Sequence, residues 1–335
     1  MKTKTILFTV LFLAIGFLLP AQKQIKLGII GLDTSHSIAF TKLLNSENKE
    51  EKYKAFRIVA AYPYGSQTIK SSYERIPDYI KQVEGYGVEI VSSIADLLKK
   101  VDCILLETND GNLHLEQAYE VFKSGKIMFI DKPVGATLAQ AIAIFKLAKQ
   151  YNVPIFSSSA LRFVPQTQKI RNGEFGKVLG ADCYSPHHKE PSHPDFGWYG
   201  IHGVEMLFTV MGTGCISVNR MSADSMDVVV GKWDDERIGT FRGLQQGPSI
   251  YGGTAFTPKD AVPVGPYQGY EVLLDEILKF FKTRIPPVGE KETLEIFTFM
   301  EASNQSMDKK GKIISMEETY RKAEKEAEKL IRKLK

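Results

Sequence analysis

The chain has 335 residues, of which 43% are hydrophobic and 24% charged, and no tract is biased enough to indicate disorder or a fibre. That length suffices for two ordinary domains with sizeable cores. Lysine and arginine exceed aspartate and glutamate by 43 − 39 = 4, so the composition excludes the strong positive charge that a nucleic-acid partner would favour.

Residues 1–21 have the pattern of a secretory signal peptide. Lys2 and Lys4 precede an apolar run over 6–19, and a small residue, Ala21, follows. The run is shorter than the roughly 20 apolar residues of a membrane span, which disfavours the alternative of an uncleaved anchor. We therefore expect an exported protein, periplasmic if its source is Gram-negative, with no membrane attachment after cleavage.

From residue 24 to 156, short apolar runs alternate with stretches of helical periodicity. The strand-like runs are 25–31, 56–62, 101–107, 126–132 and 153–159, and the helical stretches are 37–45, 92–100, 113–125 and 137–152. This alternation predicts an α/β domain with a doubly wound, Rossmann-like parallel sheet. Ligands of such sheets bind beyond the carboxyl ends of the strands.

Residues 157–335 have a different pattern of strand-like and helical stretches. Strand-like runs at 178–184, 215–223, 226–233 and 236–244 follow one another with a single helical stretch, 200–212, among them, and three more helical stretches close the chain at 270–284, 291–309 and 316–335. Strands without alternating helices predict a C-terminal α+β domain with a largely antiparallel sheet.

The chain has three cysteines and no C-x-x-C spacing, so no zinc-finger pattern or disulfide framework is indicated. Cys103 lies in an apolar run and is expected in the core. A bridge between Cys183 and Cys215 stays open as an alternative in an oxidising compartment.

The segment "GIIGLDTSHS", 28–37, follows the first predicted strand, where a dinucleotide-binding turn would read G-x-G-x-x-G. Gly31 is the first glycine of that pattern, but Asp33 and His36 take the second and third places. Asp33, Thr34 and Ser35 are interpreted either as a helix N-cap or as ligand contacts. A carboxylate next to a phosphate would disfavour ordinary dinucleotide binding.

Further motifs occur in a fixed order along the chain: "ETNDGNLH" at 107–114, "SGK" at 124–126, "DKP" at 131–133, "LRFVP" at 161–165 and "WYGIHGVEMLFTVMG" at 198–212. Together they resemble the Gfo/Idh/MocA family of sugar and cyclitol dehydrogenases over roughly residues 24–320. The resemblance implies an N-terminal Rossmann domain and a C-terminal domain whose sheet often forms oligomer contacts. We therefore expect a homo-oligomer.

By this resemblance, Lys132 matches the catalytic lysine of the family and His202 its catalytic histidine. Lys132 would orient a substrate hydroxyl, and His202 would take the hydroxyl proton, for which an unperturbed pKa near 6.5 is suitable. The alternatives are a surface lysine paired with Asp131 and a histidine that only hydrogen-bonds a backbone carbonyl.

The resemblance also implies that the first domain binds NAD(P). The candidate cofactor residues are Gly28, Gly31, Asp33, Thr34, Ser35, His36, Tyr62, Thr108 and His114. Two positions depart from the family pattern. Tyr62 stands where an acidic residue usually holds the ribose, and Trp198 replaces an aspartate, for which Asp195 or Glu205 are possible substitutes.

Four of the six histidines lie within "SPHHKEPSHPDFGWYGIH", 185–202, together with Glu190 and Asp195. Such a loop could bind a divalent metal, but it has no firm ligand spacing, and we assign no metal residues. We favour contacts to a sugar or polyol. The candidate substrate residues are Arg162, His187, His188, His193, Trp198 and Tyr199.

Three functions remain. The leading hypothesis is an NAD(P)-dependent oxidoreductase acting on a sugar or polyol hydroxyl. The second is a metal-assisted lyase or isomerase acting on an oxidised sugar, and the third is a non-catalytic sugar-binding protein.

Overall fold

The computed structural model describes residues 24–334. The predicted signal peptide lies outside the described residues and stays a prediction. Within 24–334, no helix has both the length and the apolar character needed to cross a membrane.

The first sheet has six parallel strands in the order β3-β2-β1-β4-β5-β6. The strands are β1 (Ile25–Ile30), β2 (Phe56–Tyr62), β3 (Glu89–Ile90), β4 (Cys103–Leu106), β5 (Met128–Ile130) and β6 (Ile155–Phe156). This is the strand order of the doubly wound dinucleotide-binding fold, so the predicted fold of the first domain is confirmed.

Helices cover both faces of this sheet. They are α1 (Ser35–Asn45), α2 (Lys70–Tyr73), α3 (Ile76–Gly85), α4 (Ile94–Leu98), α5 (Gly111–Lys123) and α6 (Leu138–Gln150). Side-chain caps begin three of them: Ser93 for α4, Asp110 for α5 and Thr137 for α6. Strands β4, β5 and β6 are wholly buried, because apolar side chains pack against helices above and below them.

The second sheet has seven strands in the order β12-β11-β7-β10-β9-β8-β13. They are β7 (Gly180–Pro186), β8 (Cys215–Ala223), β9 (Met226–Trp233), β10 (Ile238–Leu244), β11 (Gly252–Phe256), β12 (Ala261–Val264) and β13 (Ile314–Ser315). Strands β7 and β10 pair in parallel, and the other pairs are antiparallel. The predicted, largely antiparallel sheet is therefore confirmed.

Five helices accompany this second part of the chain: α7 (Pro165–Arg171), α8 (Gly200–Met211), α9 (Glu271–Thr283), α10 (Glu290–Asp308) and α11 (Met316–Leu334). Helices α9, α10 and α11 also contact the first part of the chain. Phe280 of α9 contacts Phe156 of β6 at a ring distance of 4.9 Å, and α11 pairs with α6 through Lys146 and Glu324. The division of the chain at residues 156/157 stays a prediction.

The elements that the sequence pattern missed are short or contain glycine and proline. Strands β11 ("GGTAF") and β12 ("AVPV") lie at one edge of the second sheet, where proline is tolerated because no neighbour needs its missing N–H. All three cysteines are buried and free, so the alternative of a Cys183–Cys215 bridge is not realised.

Candidate active site

A cleft of about 290 Å³ opens at the carboxyl ends of the first sheet. The loops after β1, β4, β5 and β6 meet there with the start of α8 and with residues that precede β11 and α9. The lining residues are Thr34, Ser35, His36, Ser71, Arg75, Asn109, Lys132, Ser159, Ala160, Leu161, Trp198, Tyr199, His202, Tyr251, Tyr267 and Tyr270. The volume is at the lower end of the range for small-molecule sites.

Lys132 and His202 both line this cleft, so the structure brings the two predicted catalytic residues together. Lys132 follows β5, which ends at Ile130, and His202 lies in the first turn of α8. Helix α8 packs closely on the second sheet because Gly203 leaves room for the Phe241 ring, which a Cβ at that position would meet at 2.4 Å. That packing holds His202 at the cleft.

His202 is oriented by a chain of buried polar groups. Its Nδ1 lies 2.7 Å from Oγ of Ser159, and the backbone N–H of Ser159 donates to Glu205 at 2.8 Å. Glu205 in turn accepts a hydrogen bond from Arg162 at 2.7 Å. The arrangement leaves Nε2 of His202 as the ring nitrogen available to a ligand.

The pKa of His202 lies well below its ordinary value, because burial disfavours the charged imidazole and Lys132 adds a like charge nearby. His202 is therefore neutral at pH 7 and able to accept a proton.

Aromatic side chains form one wall of the cleft. Tyr251 packs edge-on against His202 at a ring distance of 5.6 Å, and Tyr267 lies 5.7 Å from Tyr270. Trp198 and Tyr199 complete this wall. Polar-edged aromatic rings around a small cleft suit a ligand that has apolar faces and many hydroxyl groups.

The turn after β1 is filled by its own aspartate. Asp33 is fully buried, and its two carboxylate oxygens accept the backbone N–H groups of Ser66 and Asn109, each at 2.9 Å. Burial raises the pKa of Asp33 to about 6, against the lowering effect of these hydrogen bonds. Thr34 is the N-cap of α1 but makes no side-chain capping bond. The helix-cap interpretation is thus wrong for Asp33, which instead joins the loops that follow β2 and β4.

Those two loops are also joined directly. Ser66 donates to Asp110 at 3.0 Å, and Asn109 donates to Ser72 at 2.9 Å. Tyr62, at the end of β2, lies outside the cleft and stacks on Tyr64 along a separate groove. The Tyr62 carbonyl accepts the N–H of Gly31 at 2.9 Å, but Tyr62 does not line the cleft, as the candidate cofactor residues Thr34, Ser35 and His36 do.

Behind the cleft lies a group that we call the His36 cluster: His36, Glu107 and Asp131. His36 Nδ1 is 2.9 Å from Asp131 Oδ2 and 3.9 Å from Glu107 Oε2. Burial, and then Asp131, raise the pKa of Glu107 well above its ordinary value. Burial also acts to raise the pKa of Asp131, but His36 and Lys132 outweigh it and the pKa is lowered.

A second group, the Arg220 cluster, consists of Arg220, His187, Asp195 and Asp227. His187 lies 2.8 Å from Asp227 and 3.2 Å from Asp195, and Arg220 contacts both carboxylates at 2.7 and 2.5 Å. Burial raises the pKa of each carboxyl, but His187 and Arg220 outweigh it, so both pKa values are lowered. His187 and Asp195 are thus committed to ion pairs within the protein.

Several other predicted residues do not line the cleft. Arg162 is buried between Glu205 and Glu292. His193 accepts the N–H of Gly111, and His188 lies near Ser249 at 3.4 Å.

Among the candidate cofactor residues, His114 is bonded to the Thr108 carbonyl at 2.6 Å, and Gly28 packs against α4. Gly31 and Thr108 touch each other behind the turn, where a Cβ at Gly31 would lie 2.5 Å from the Thr108 backbone.

Sequence reasoning missed several residues of the site. Glu107 could have been found as a carboxylate at the end of a predicted buried strand. Tyr267 and Tyr270 could have been found in the Gly/Pro-rich loop "GPYQGY". Ser159, Ser71 and Arg75 carried no comparable signal.

The fold and the cleft define a protein with a Rossmann domain and a second domain that completes a site at the carboxyl ends of the strands. Residues 25–158 match the family model GFO_IDH_MocA, described as an oxidoreductase family with an NAD-binding Rossmann fold. Over these residues, the chain matches the Gfo/Idh/MocA family, the family that its motifs predicted.

Two curated relatives also match part of the chain. The rhizopine catabolism protein MocA of Rhizobium meliloti is 24% identical over 194 residues, covering 53% of this chain and 60% of that protein. The uncharacterized oxidoreductase YhhX of Escherichia coli (strain K12) is 22% identical over 138 residues, covering 37% of this chain and 40% of that protein. The chain thus spans less than two thirds of the length of either relative.

Among solved structures, scyllo-inositol dehydrogenase from Lactobacillus casei with bound NAD(H) and scyllo-inositol superposes with a TM-score of 0.69 at 14% identity. The match covers 88% of this chain and all of that one. At this identity, the likeness concerns the fold.

Proposed function

We propose that the protein acts on a hydroxyl group of a sugar or polyol as an oxidoreductase of its family. The observation that carries this proposal is the meeting of Lys132 and neutral His202 in one small, aromatic-walled cleft. Nε2 of His202 would take the hydroxyl proton, while the Lys132 ammonium orients the oxygen and stabilises its developing negative charge. Ser159, held by Glu205, fixes the imidazole ring in position.

Oxidation of the substrate carbon also requires a hydride acceptor, and the matched domain is described as NAD-binding. The turn after β1 departs from the dinucleotide pattern, because Asp33 stands at the place of its second glycine. The diphosphate of a bound dinucleotide would pass over this turn. Here the Asp33 carboxylate accepts hydrogen bonds from two backbone N–H groups, and a hydrogen bond from Ser66 to Asp110 joins the loops after β2 and β4. We therefore assign only proton transfers, to side chains of this chain.

The test is a dehydrogenase assay on purified protein with inositols and sugars, with NAD⁺ and with NADP⁺. Denaturation of the same protein, followed by mass spectrometry, would report any nicotinamide nucleotide that it retained. We expect His202→Gln and Lys132→Met to lower the rate by about 10²–10⁴-fold.

Lys126→Met, at the other end of the β5 segment, is the matched control and should keep the wild-type rate. Absence of oxidation with every substrate and both nucleotides would overturn the proposal.

A second candidate is a metal-assisted lyase or isomerase acting on an oxidised sugar. It is favoured by the Asp33-filled turn together with the buried carboxylates beside the cleft. This enzyme would exchange the proton next to a sugar carbonyl with D₂O without added nucleotide. NMR of an oxidised sugar in D₂O separates it from the dehydrogenase.

We further propose that the protein is exported and forms a homo-oligomer. Export is supported by the residue pattern of 1–21. Oligomerisation is supported by exposed apolar side chains on or next to the second sheet, including Ile216, Met221 and Ile238. Cell fractionation and light scattering after size exclusion test the two proposals separately.

A further inference from the structure

The His36 cluster is assembled from three neighbouring strands of the first sheet. Glu107 follows β4, Asp131 follows β5, and His36 lies in the first turn of α1, just beyond β1. Because β1, β4 and β5 are adjacent in the sheet, their carboxyl ends bring the three side chains together. One ligating atom from each lies within 4.8 Å of the others.

These atoms have the spacing of metal ligands. Two ligands of a tetrahedral Zn²⁺ ion with bonds of 2.0–2.1 Å lie about 3.4 Å apart. The separations of 2.9 and 3.9 Å from His36 Nδ1 to the two carboxylates lie on either side of that value.

The same atoms lack other partners. Glu107 and Asp131 are fully buried, and none of their four carboxylate oxygens has a hydrogen-bond partner among the described residues. His36 Nδ1 has no hydrogen-bond partner within residues 24–334 either, and its nearest carboxylate is Asp131, at 2.9 Å. Buried carboxylates are normally paired, hydrogen-bonded or bound to a metal, because an uncompensated buried charge is costly.

We propose that His36, Glu107 and Asp131 form a binding site for one divalent cation, Zn²⁺ or Mn²⁺. One imidazole nitrogen and two carboxylate oxygens suit these ions, whereas Ca²⁺ and Mg²⁺ prefer oxygen ligands alone. Two carboxylates also supply the negative charge that balances a divalent ion.

The site adjoins the proposed active cleft, because His36 lines the cleft together with Lys132. Three protein ligands leave a coordination position open, as in catalytic metal sites. Glu107 and Asp131 do not line the cleft, so an ion held by the three side chains would lie behind His36. The metal site goes beyond the proposed function, and its test uses metal binding in the absence of substrate.

The experiment is isothermal titration of the purified, chelator-treated protein with MnCl₂ and, separately, with ZnCl₂. We expect one ion per chain at micromolar or tighter affinity, and Glu107→Gln should weaken binding at least about 100-fold, because even partners behind metal ligands are worth 10–100-fold. Asp195→Asn in the Arg220 cluster is the matched control, and it should keep wild-type affinity. An absence of binding to the wild type, or a Glu107→Gln variant that binds as tightly, overturns the site.

Folding of the variants is checked by circular dichroism, and His36→Gln, at the cleft, replaces Glu107→Gln if the latter does not fold. Wild-type crystals soaked in Mn²⁺ need no substitution. An anomalous peak between the three side chains supports the site, and a peak elsewhere overturns it. The titration uses neither substrate nor nucleotide, so the metal site and the proposed function fail separately.

Discussion

The His36 cluster and the Arg220 cluster contain the same kinds of groups, one histidine and two carboxylates, in different surroundings. In the Arg220 cluster, a guanidinium contacts both Asp195 and Asp227, so each charge has a fixed partner. In the His36 cluster, no arginine or lysine among the described residues lies within ion-pair distance of Glu107 or Asp131. The Arg220 cluster therefore contains its own cation. In the His36 cluster, the proposed metal ion would supply the positive charge. The histidine-rich loop 185–202, which indicated a possible metal site in the sequence, therefore contributes His187 and Asp195 to the Arg220 cluster.

Removing the arginine should have the largest effect. Arg220→Met leaves Asp195 and Asp227 buried against His187 alone, and we expect the free energy of unfolding to fall by about 3–5 kcal/mol, the usual result of breaking a buried ion pair. Urea denaturation measures this change. Arg242→Met, at an exposed position of β10, is the control and should change stability little. An equal loss in both variants would mean that the Arg220 cluster does not stabilise the fold.

Asp33 is intermediate between the two clusters, because its buried carboxylate accepts hydrogen bonds from two neutral N–H groups but contacts no cation among the described residues. Its pKa is raised from 3.8 to about 6, so the folded protein holds a proton that the unfolded chain has already lost between those pH values. This contribution to stability is therefore present below about pH 4 and is lost as the pH rises to about 6. The loss amounts to about 3 kcal/mol.

The measurement is urea denaturation of the wild type and of Asp33→Asn between pH 4 and pH 7. The stability of the wild type relative to the variant should decrease with rising pH. A difference that does not change over this range would contradict the assigned burial of the charge.

Glu107→Gln should have a smaller effect, and its sign depends on the metal. Without metal, the substitution removes one of two neighbouring buried carboxylates, and we expect the protein to gain about 1–3 kcal/mol. With Mn²⁺ at 100 times its dissociation constant, the wild type should gain about 2.7 kcal/mol, which the variant should not. Thermal denaturation with and without Mn²⁺ tests both statements. Asp227→Asn in the Arg220 cluster should lower the free energy of unfolding with and without Mn²⁺. If both variants changed the free energy of unfolding in the same direction without metal, the two clusters would not differ as described.

The fold could be predicted from the sequence because apolar runs and helical periodicity mark the strands and helices of a buried parallel sheet directly. The pairing of Lys132 with His202 was also predicted, through motifs that begin or end at recognisable elements. The short strands β3, β11 and β12 could not be predicted, because two to five residues are too few to show a period, and β11 and β12 also contain glycine or proline.

The partners of polar side chains were not predictable from local pattern. Arg162 and His187 look like ligand contacts in the sequence, but each finds its carboxylates at distant positions, such as Glu292 and Asp227. Conversely, Glu107 reads as the end of an apolar strand and becomes part of a cluster only when β1, β4 and β5 lie side by side. Such groupings depend on contacts far apart in the chain.

The smallest predicted effect concerns the turn at Asp33. Asp33→Gly restores the second glycine of the dinucleotide pattern and removes the carboxylate that joins Ser66 and Asn109, so both N–H groups become free to bind a phosphate. We expect NADH to bind about tenfold more tightly than to the wild type, which corresponds to about 1.4 kcal/mol. Asp33→Asn separates charge from volume, because it removes the charge and keeps the side chain. Tighter binding in Asp33→Gly alone would show that the side chain fills the diphosphate position, tighter binding in both would assign the effect to charge, and unchanged binding in both would mean that the filled turn does not limit the cofactor.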